Sequence, residues 1–188
     1  MKPLTATLAL ILFIFSASAQ IIPIKNALQS DIAKVISDYP NGFKNISGEQ
    51  TIQNPQSTEF ESRVEIKDAK CKVIKYSSTT KDIFSWEAEM LKTDDFEEAS
   101  KKFRSFYNSL QHLSINIGGV NTVFKGDYIK PSESIKFTSV VFDANDKNEG
   151  LSNLKIALVL ETEMMDWVIK IQVYGKERDD KDRGRTID

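Results

Sequence analysis

The stretch DDFEEASKKFRSFYNSLQHL, residues 94–113, decides the fold class. Phe96, Ala99, Phe103, Phe106, Leu110 and Leu113 recur every three or four positions, while Lys101, Lys102 and Arg104 fall off that line. This is the period of a helix with one apolar face. Asp94 serves as an N-cap with Glu97 three residues on, and Asp95, Glu97 and Glu98 suit the positive end of the helix dipole. The pattern predicts a helix from Asp94 to about Leu113, ended before Gly118-Gly119. An aromatic-rich helix in mid-chain needs a large apolar layer to lie on.

The flanks supply that layer as short stretches of period two. Phe60, Ser62, Val64 and Ile66 alternate with Glu59, Glu61, Arg63 and Glu65, which reads as a half-buried strand. Cys71 to Tyr76 forms a second run, and Phe84, Trp86, Ala88 and Met90 alternate with Ser85, Glu87 and Glu89 in a third. Beyond the helix, Val120 to Tyr128 is weakly strand-like, and Ile135 to Phe142 becomes apolar on both faces towards its end. Leu154 to Leu160 is apolar on both faces, the mark of a central strand. Trp167, Ile169, Ile171 and Val173 alternate with Lys170 and Gln172 in the last run, and the Met164-Met165-Asp166 link predicts a hairpin.

Nearer the start, Ile24, Leu28, Ile32, Val35, Ile36 and Tyr39 form a second helical stripe, predicting a helix from Lys25 to Asp38 stopped by Pro40 and Asn41-Gly42. Phe43 to Gln56 has no period and reads as a loop. The order α-βββ-α-ββββ predicts an α+β two-layer sandwich, a mostly antiparallel sheet of about six or seven strands with two helices on one face. A lipocalin-like barrel is the alternative, and the mid-chain helix argues against it. The two halves resemble a tandem of helix plus meander, although no residue-level repeat joins them.

The two ends carry different signals. Lys2, the apolar run Leu4 to Phe15 and the small box Ala17-Ser18-Ala19 before Gln20 have the three parts of a secretory signal peptide. The run is short for a membrane span, which needs about 20 apolar residues. The sequence therefore predicts a signal peptide over residues 1–19, a single α+β domain over 20–175, and a charged flexible tail, KERDDKDRGRTID, over 176–188. The destination expected is periplasmic or secreted, with no stable membrane anchor after cleavage. Lys+Arg 25 against Asp+Glu 27, with a pI near 5.6, makes nucleic acid an unfavourable partner.

Candidate chemistry is sparse. Cys71 is the only cysteine, so no internal disulfide forms, and its alternating context reads as a half-buried strand thiol. His112 is the only histidine, and any Ser-His-Asp or Cys-His mechanism must pass through it. It falls near the end of the second helix, where a cation-capable side chain suits the dipole. One cysteine and one histidine cannot build the usual zinc ligand sets. Asp143 to Gly150 superficially resembles a calcium loop, but Lys147, Asn148 and Leu154 stand where an EF-hand needs a ligand, a glycine and a bidentate Glu. Glu59, Glu61 and Glu65 share one strand face with Arg63 and read as a solvated face rather than a glycosidase pair. Phosphate-binding, dinucleotide and nucleophile-elbow motifs are all missing. Asn45-Ile46-Ser47 fits the glycosylation sequon.

Trp86, Trp167, Phe96, Phe103 and Phe106 read as core, or as the lining of a pocket for a small apolar ligand if helix and sheet do not fully meet. No residue is singled out as catalytic, cofactor-binding or metal-binding, and no cofactor is expected. The function expected is that of an exported non-catalytic protein acting through a protein or cell-surface partner. The alternatives are a carrier of a small apolar ligand in a helix/sheet cavity, and a hydrolase using surface carboxylates or Cys71 with His112.

Overall fold

The computed structural model of the protein describes residues 26–78, 82–117, 119–144 and 151–175. Among these, two α-helices and nine strands form one α+β unit, with all nine strands in a single antiparallel sheet. The elements are α1 (Ala27–Asp38), β1 (Ser47–Gln53), β2 (Ser57–Ser62), β3 (Lys70–Tyr76), β4 (Ile83–Thr93), α2 (Phe96–Leu110), β5 (Ser114–Ile117), β6 (Val120–Lys125), β7 (Phe137–Ala144), β8 (Leu154–Glu163) and β9 (Asp166–Gly175). The predicted signal peptide, the charged tail and most of the calcium-like loop lie outside the described residues.

The helix ends follow from capping chemistry. The Asn26 side chain accepts from the Gln29 N–H at 2.8 Å while the Gln29 side chain reaches back to the Asn26 N–H, a reciprocal box that starts α1. Pro40 lies in a short 3-10 turn over Tyr39–Asn41, and Gly42 closes it at φ 63°, a left-handed conformation that suits glycine. In α2 the cap is Asp95 rather than Asp94. Its carboxylate accepts from Glu97 and Glu98 N–H, with Glu97 and Glu98 in the positive first turn. The helix stops at Leu110, three residues short of the predicted end, and Leu113 is nevertheless fully buried just beyond it.

The sheet order is β1-β2-β3-β4-β9-β8-β7-β6-β5. The chain thus consists of two helix-plus-meander halves whose last strands, β4 and β9, pair antiparallel at the centre. β1 and β5 are the two edges and do not pair with each other, so the sheet is not closed and the barrel alternative is overturned. The expected six or seven strands are corrected to nine. The two that sequence reading missed are those same edge strands. β1 is a polar strand, SGEQTIQ, lying inside the predicted loop; it is mostly exposed and its pairing to β2 is irregular in two places. β5 is four residues long and follows α2 almost directly. β1 buries little and so carries no alternation to display, whereas β5, with Ile115 in the core and Ile117 packed against it, is too short for its alternation to stand out.

The core lies between the helices and one face of the sheet. Ile32, Val35 and Ile36 of α1 and Ala99, Phe103 and Leu110 of α2 are fully buried in one cluster with Trp86, Ala88, Ile169, Ile171, Ile156 and Leu158. α2 crosses β4, β8 and β9, and the Gln29 Nε2 of α1 donates to the Ser109 carbonyl of α2 at 2.8 Å. Burying a large apolar side chain contributes about 1.5–3 kcal/mol, so this cluster is the main favourable term in the fold.

Two local departures from strict alternation matter. In β4, Ala88 faces Ile171 and Leu91 faces Ile169, so Met90 is an extra residue in a bulge and Leu91 takes the core-facing place expected of Met90. In β2 the pairing ends at Ser62, yet the alternation of burial runs on through Val64 and Ile66.

Candidate functional site

The candidate site is the sheet face opposite the helices. It carries the even-numbered residues of β9, Val168, Lys170, Gln172 and Tyr174, with their neighbours across the ladders. Both helices put their buried side chains into the core on the other face.

Half of this face is a network of ions. Lys72 Nζ lies 3.1 Å from Glu59 Oε1 and 3.5 Å from Glu87 Oε1, and Gln172 Nε2 donates to the second Glu87 oxygen at 2.7 Å. Lys170 Nζ lies 2.6 Å from Glu161 and also contacts Glu163, while Lys70 pairs with Glu89 at 2.9 Å and Lys92 with Asp166 at 3.4 Å. Burial works against the charge on Lys72 and on Lys170. Glu87 and Glu59 outweigh it at Lys72, as Glu161 and Glu163 do at Lys170, so both lysines sit above their ordinary pKa. The hydrogen bond from Lys170 holds Glu163 below the usual carboxylate value. A glycosidase acid needs the reverse shift, towards a protonated carboxyl at working pH.

The other half is mostly apolar, interrupted by Ser139 and bordered by the Lys155–Asp143 ion pair. Ala157, Val159 and Tyr174 form a small cluster of their own, 3%, 5% and 6% exposed, on the face away from the main core. Beside them on β7 stand Val141, opposite Ala157, and Phe137, opposite Glu161; they are 38% and 58% exposed. Next to Phe137 the chain presents Ile135, also exposed, and the two-residue β8–β9 turn exposes Met164 and Met165 almost completely. Sequence reading assigned none of these a role. Its signal was present all the same: the runs over Ile135–Phe142 and Leu154–Leu160 are apolar on both faces, and a strand buried on one face only has no need of that.

A cleft of about 770 Å³ lies between α1 and the β2–β3 connection, with Asp31, Glu65, Lys67, Asp68 and Cys71 among its lining. Burial pushes the Cys71 thiol above its ordinary pKa, with Glu65 and Asp31 adding to the effect against a backbone hydrogen bond from Ile66. A thiol of this kind stays protonated at neutral pH and is a poor nucleophile. His112 is exposed beyond the end of α2 and does not line the cleft.

The remaining sequence candidates fall into place as structure. Phe96 packs at a tilt against Trp167 with centroids 5.0 Å apart, and Phe103 and Trp86 are fully buried in the main core. The side-chain amide of the sequon residue Asn45 donates to Asp38. Glu61, Arg63 and Glu65 are exposed, while Glu59 belongs to the ion network. Among the described residues no three of His, Cys, Asp and Glu come together in a way that could hold a metal ion, and no helix is long and apolar enough to cross a membrane. Comparison with known protein families, with curated proteins and with solved structures finds no match to this chain.

Proposed function

We propose that the chain is an exported, non-catalytic binding protein that recognises a protein or cell-surface partner through the sheet face opposite its helices. The observation that carries this reading is the apolar half of that face. Phe137 and Val141 stand 58% and 38% exposed beside the nearly dry trio Ala157, Val159 and Tyr174. Contiguous apolar surface flanked by polar groups marks interaction sites. The ion network on the other half supports a binding role in a different way, since charges already paired within the sheet make little electrostatic demand on a partner. Export, to periplasm or medium, rests on the signal-like first nineteen residues.

The test is capture from the exported fraction of the source cell on immobilised protein, wild type against the Phe137→Glu, Val141→Lys double variant. Both substituted positions are exposed, so the melting temperature of the variant is expected to stay within a few degrees of the wild type. A partner held by the wild type and lost from the variant supports the reading. A partner held equally by both, or turnover of a substrate unaffected by the substitutions, overturns it.

A further inference from the structure

β7 has a strand neighbour on one side only over most of its length. β8 pairs with it from Phe137 to Asp143, whereas β6 pairs with it only at Asp143 and Ala144. The chain leaves β6 at Gly126, which approaches the Val141 carbonyl so closely that a Cβ there would sit 2.5 Å from the oxygen. The Tyr107 hydroxyl donates to the Gly126 carbonyl at 3.0 Å and pins this departure. Tyr128 then packs on α2, its ring 4.8 Å from that of Tyr107 and 6.4 Å from that of Phe103. Among the described residues no backbone hydrogen bond joins 127–135 to β7.

The register tells which groups face the free side. The Thr162 N–H donates to the Lys136 carbonyl at 3.0 Å, in line with the pairing of Phe137 to Glu161 and Thr138 to Leu160. In an antiparallel ladder, hydrogen-bonded and non-hydrogen-bonded pairs alternate. Thr138, Val140 and Phe142 therefore turn their N–H and C=O groups to β8, and Phe137, Ser139 and Val141 turn theirs away from it. Phe137 and Val141 are also the exposed apolar residues of the candidate face.

We propose that β7 takes up an extended segment of a partner protein as an added strand, centred on Ser139. The occupant is a peptide backbone, because alternating donors and acceptors at strand spacing are what a β-strand supplies and an edge lacks. Every second side chain of that segment stands beside Phe137 and Val141 on the same face of the sheet and is apolar. The close approach of Gly126 to the Val141 carbonyl keeps the added strand short. The proposal rests on the reading of this face as the binding surface and specifies how the partner engages it.

The probe is an acetylated, amidated pentapeptide of alternating threonine and valine, titrated into the full chain while backbone amide resonances are followed. The expected result is shifts centred on the Phe137, Ser139 and Val141 amides, slower exchange of those amides, and affinity lowered about tenfold or more by Ser139→Pro. The Ser139 N–H points away from β8, so proline there removes a docking donor while leaving the existing ladder intact. The same peptide N-methylated at alternate residues keeps its side chains, loses donors and is expected not to bind, a control that needs no variant to fold. Equal binding of the methylated peptide, unchanged binding to the proline variant, or absence of shifts on β7 overturns strand addition. Concentration-dependent dimers abolished by Ser139→Pro also overturn it, by assigning the edge to a second copy. The face reading fails separately, through the Phe137→Glu, Val141→Lys capture.

Discussion

The Asn45 side-chain amide donates a 2.6 Å hydrogen bond to Asp38 Oδ1, and the Asn45 and Ile46 backbone N–H groups reach the other oxygen at 2.9 and 3.2 Å. Asn41 Nδ2 adds a fourth donor at 2.9 Å. Asp38 is only 6% exposed and ends a helix, where the dipole disfavours an anion. Its place is therefore held by these donors, which shape the turn leading from α1 into β1. Asp38→Ala is expected to destabilise the fold by about 2 kcal/mol or more, measured by urea unfolding. A loss below about 0.5 kcal/mol would mean that the turn holds its shape without the carboxylate.

A second buried bond ties the core to the β2 end. Trp86 Nε1 donates to Ser62 Oγ at 2.9 Å, and the same hydroxyl donates to the Val64 carbonyl at 2.8 Å. Trp86 is fully buried, so Ser62→Ala leaves its indole N–H unpaired at a cost of about 1–3 kcal/mol. Chemical denaturation followed by tryptophan fluorescence checks this. Unchanged stability would show that the indole finds another acceptor.

The Lys170 triad sets an acid limit on stability. The Glu163 carboxyl lies below its ordinary value of 4.5 in the fold, held there by Lys170, so its stabilising contribution is present above that value and lost as pH falls through the lowered one. Lys170 lies above its ordinary 10.5, so its contribution is complete below that pH and disappears only in stronger base. Melting temperatures between about pH 3 and 6 should fall less steeply for Glu163→Gln than for the wild type. The partial exposure of Glu163 makes the effect modest. Parallel slopes would place the acid sensitivity in other carboxylates.

Cys71 should be slow to react. Its thiol lies above the ordinary 9.0 because of burial, and thiolate is the reactive form. Alkylation by iodoacetamide near pH 8 is expected to be at least about tenfold slower in the native protein than in urea, followed by mass spectrometry. Equal rates would show the cleft opening freely to the reagent, or a thiolate stabilised by groups other than those around it here.

Much of the architecture was legible in residue order. The stripe from Phe96 to Leu110 announced α2, Ile32 to Ile36 announced α1, and the alternation through Trp86 and through Trp167 announced β4 and β9 as strands, though not their place at the centre, which was expected of Leu154–Leu160. Those signals are strong because each element buries one face, and burial is what imposes a period. β1 escaped because a polar edge strand is held by backbone pairing, which any polar sequence can supply, and β5 because its four residues, with Ile115 and Ile117 on the core side, are too few to show a period. The bulge at Met90 escaped for a related reason: it depends on register with Ile169 and Ile171, residues some eighty positions away.

The candidate site was not legible as a site. The runs Ile135–Phe142 and Leu154–Leu160 were visible as apolar on both faces, and Lys170 as the polar side of an alternating strand, but neither pattern says which side chains meet. Sequence by itself determined the α+β class, the two amphipathic helices, the scarcity of Cys and His chemistry, and the signal-like start. Only the tertiary structure decided that Phe137 and Val141 share a face with Ala157, Val159 and Tyr174, that β6 leaves most of β7 unpaired, and that His112 lies away from the cleft of Cys71. Periodicity is local, set by the angle between successive side chains. The neighbours across a sheet are set by long-range register, which closes only when distant segments meet.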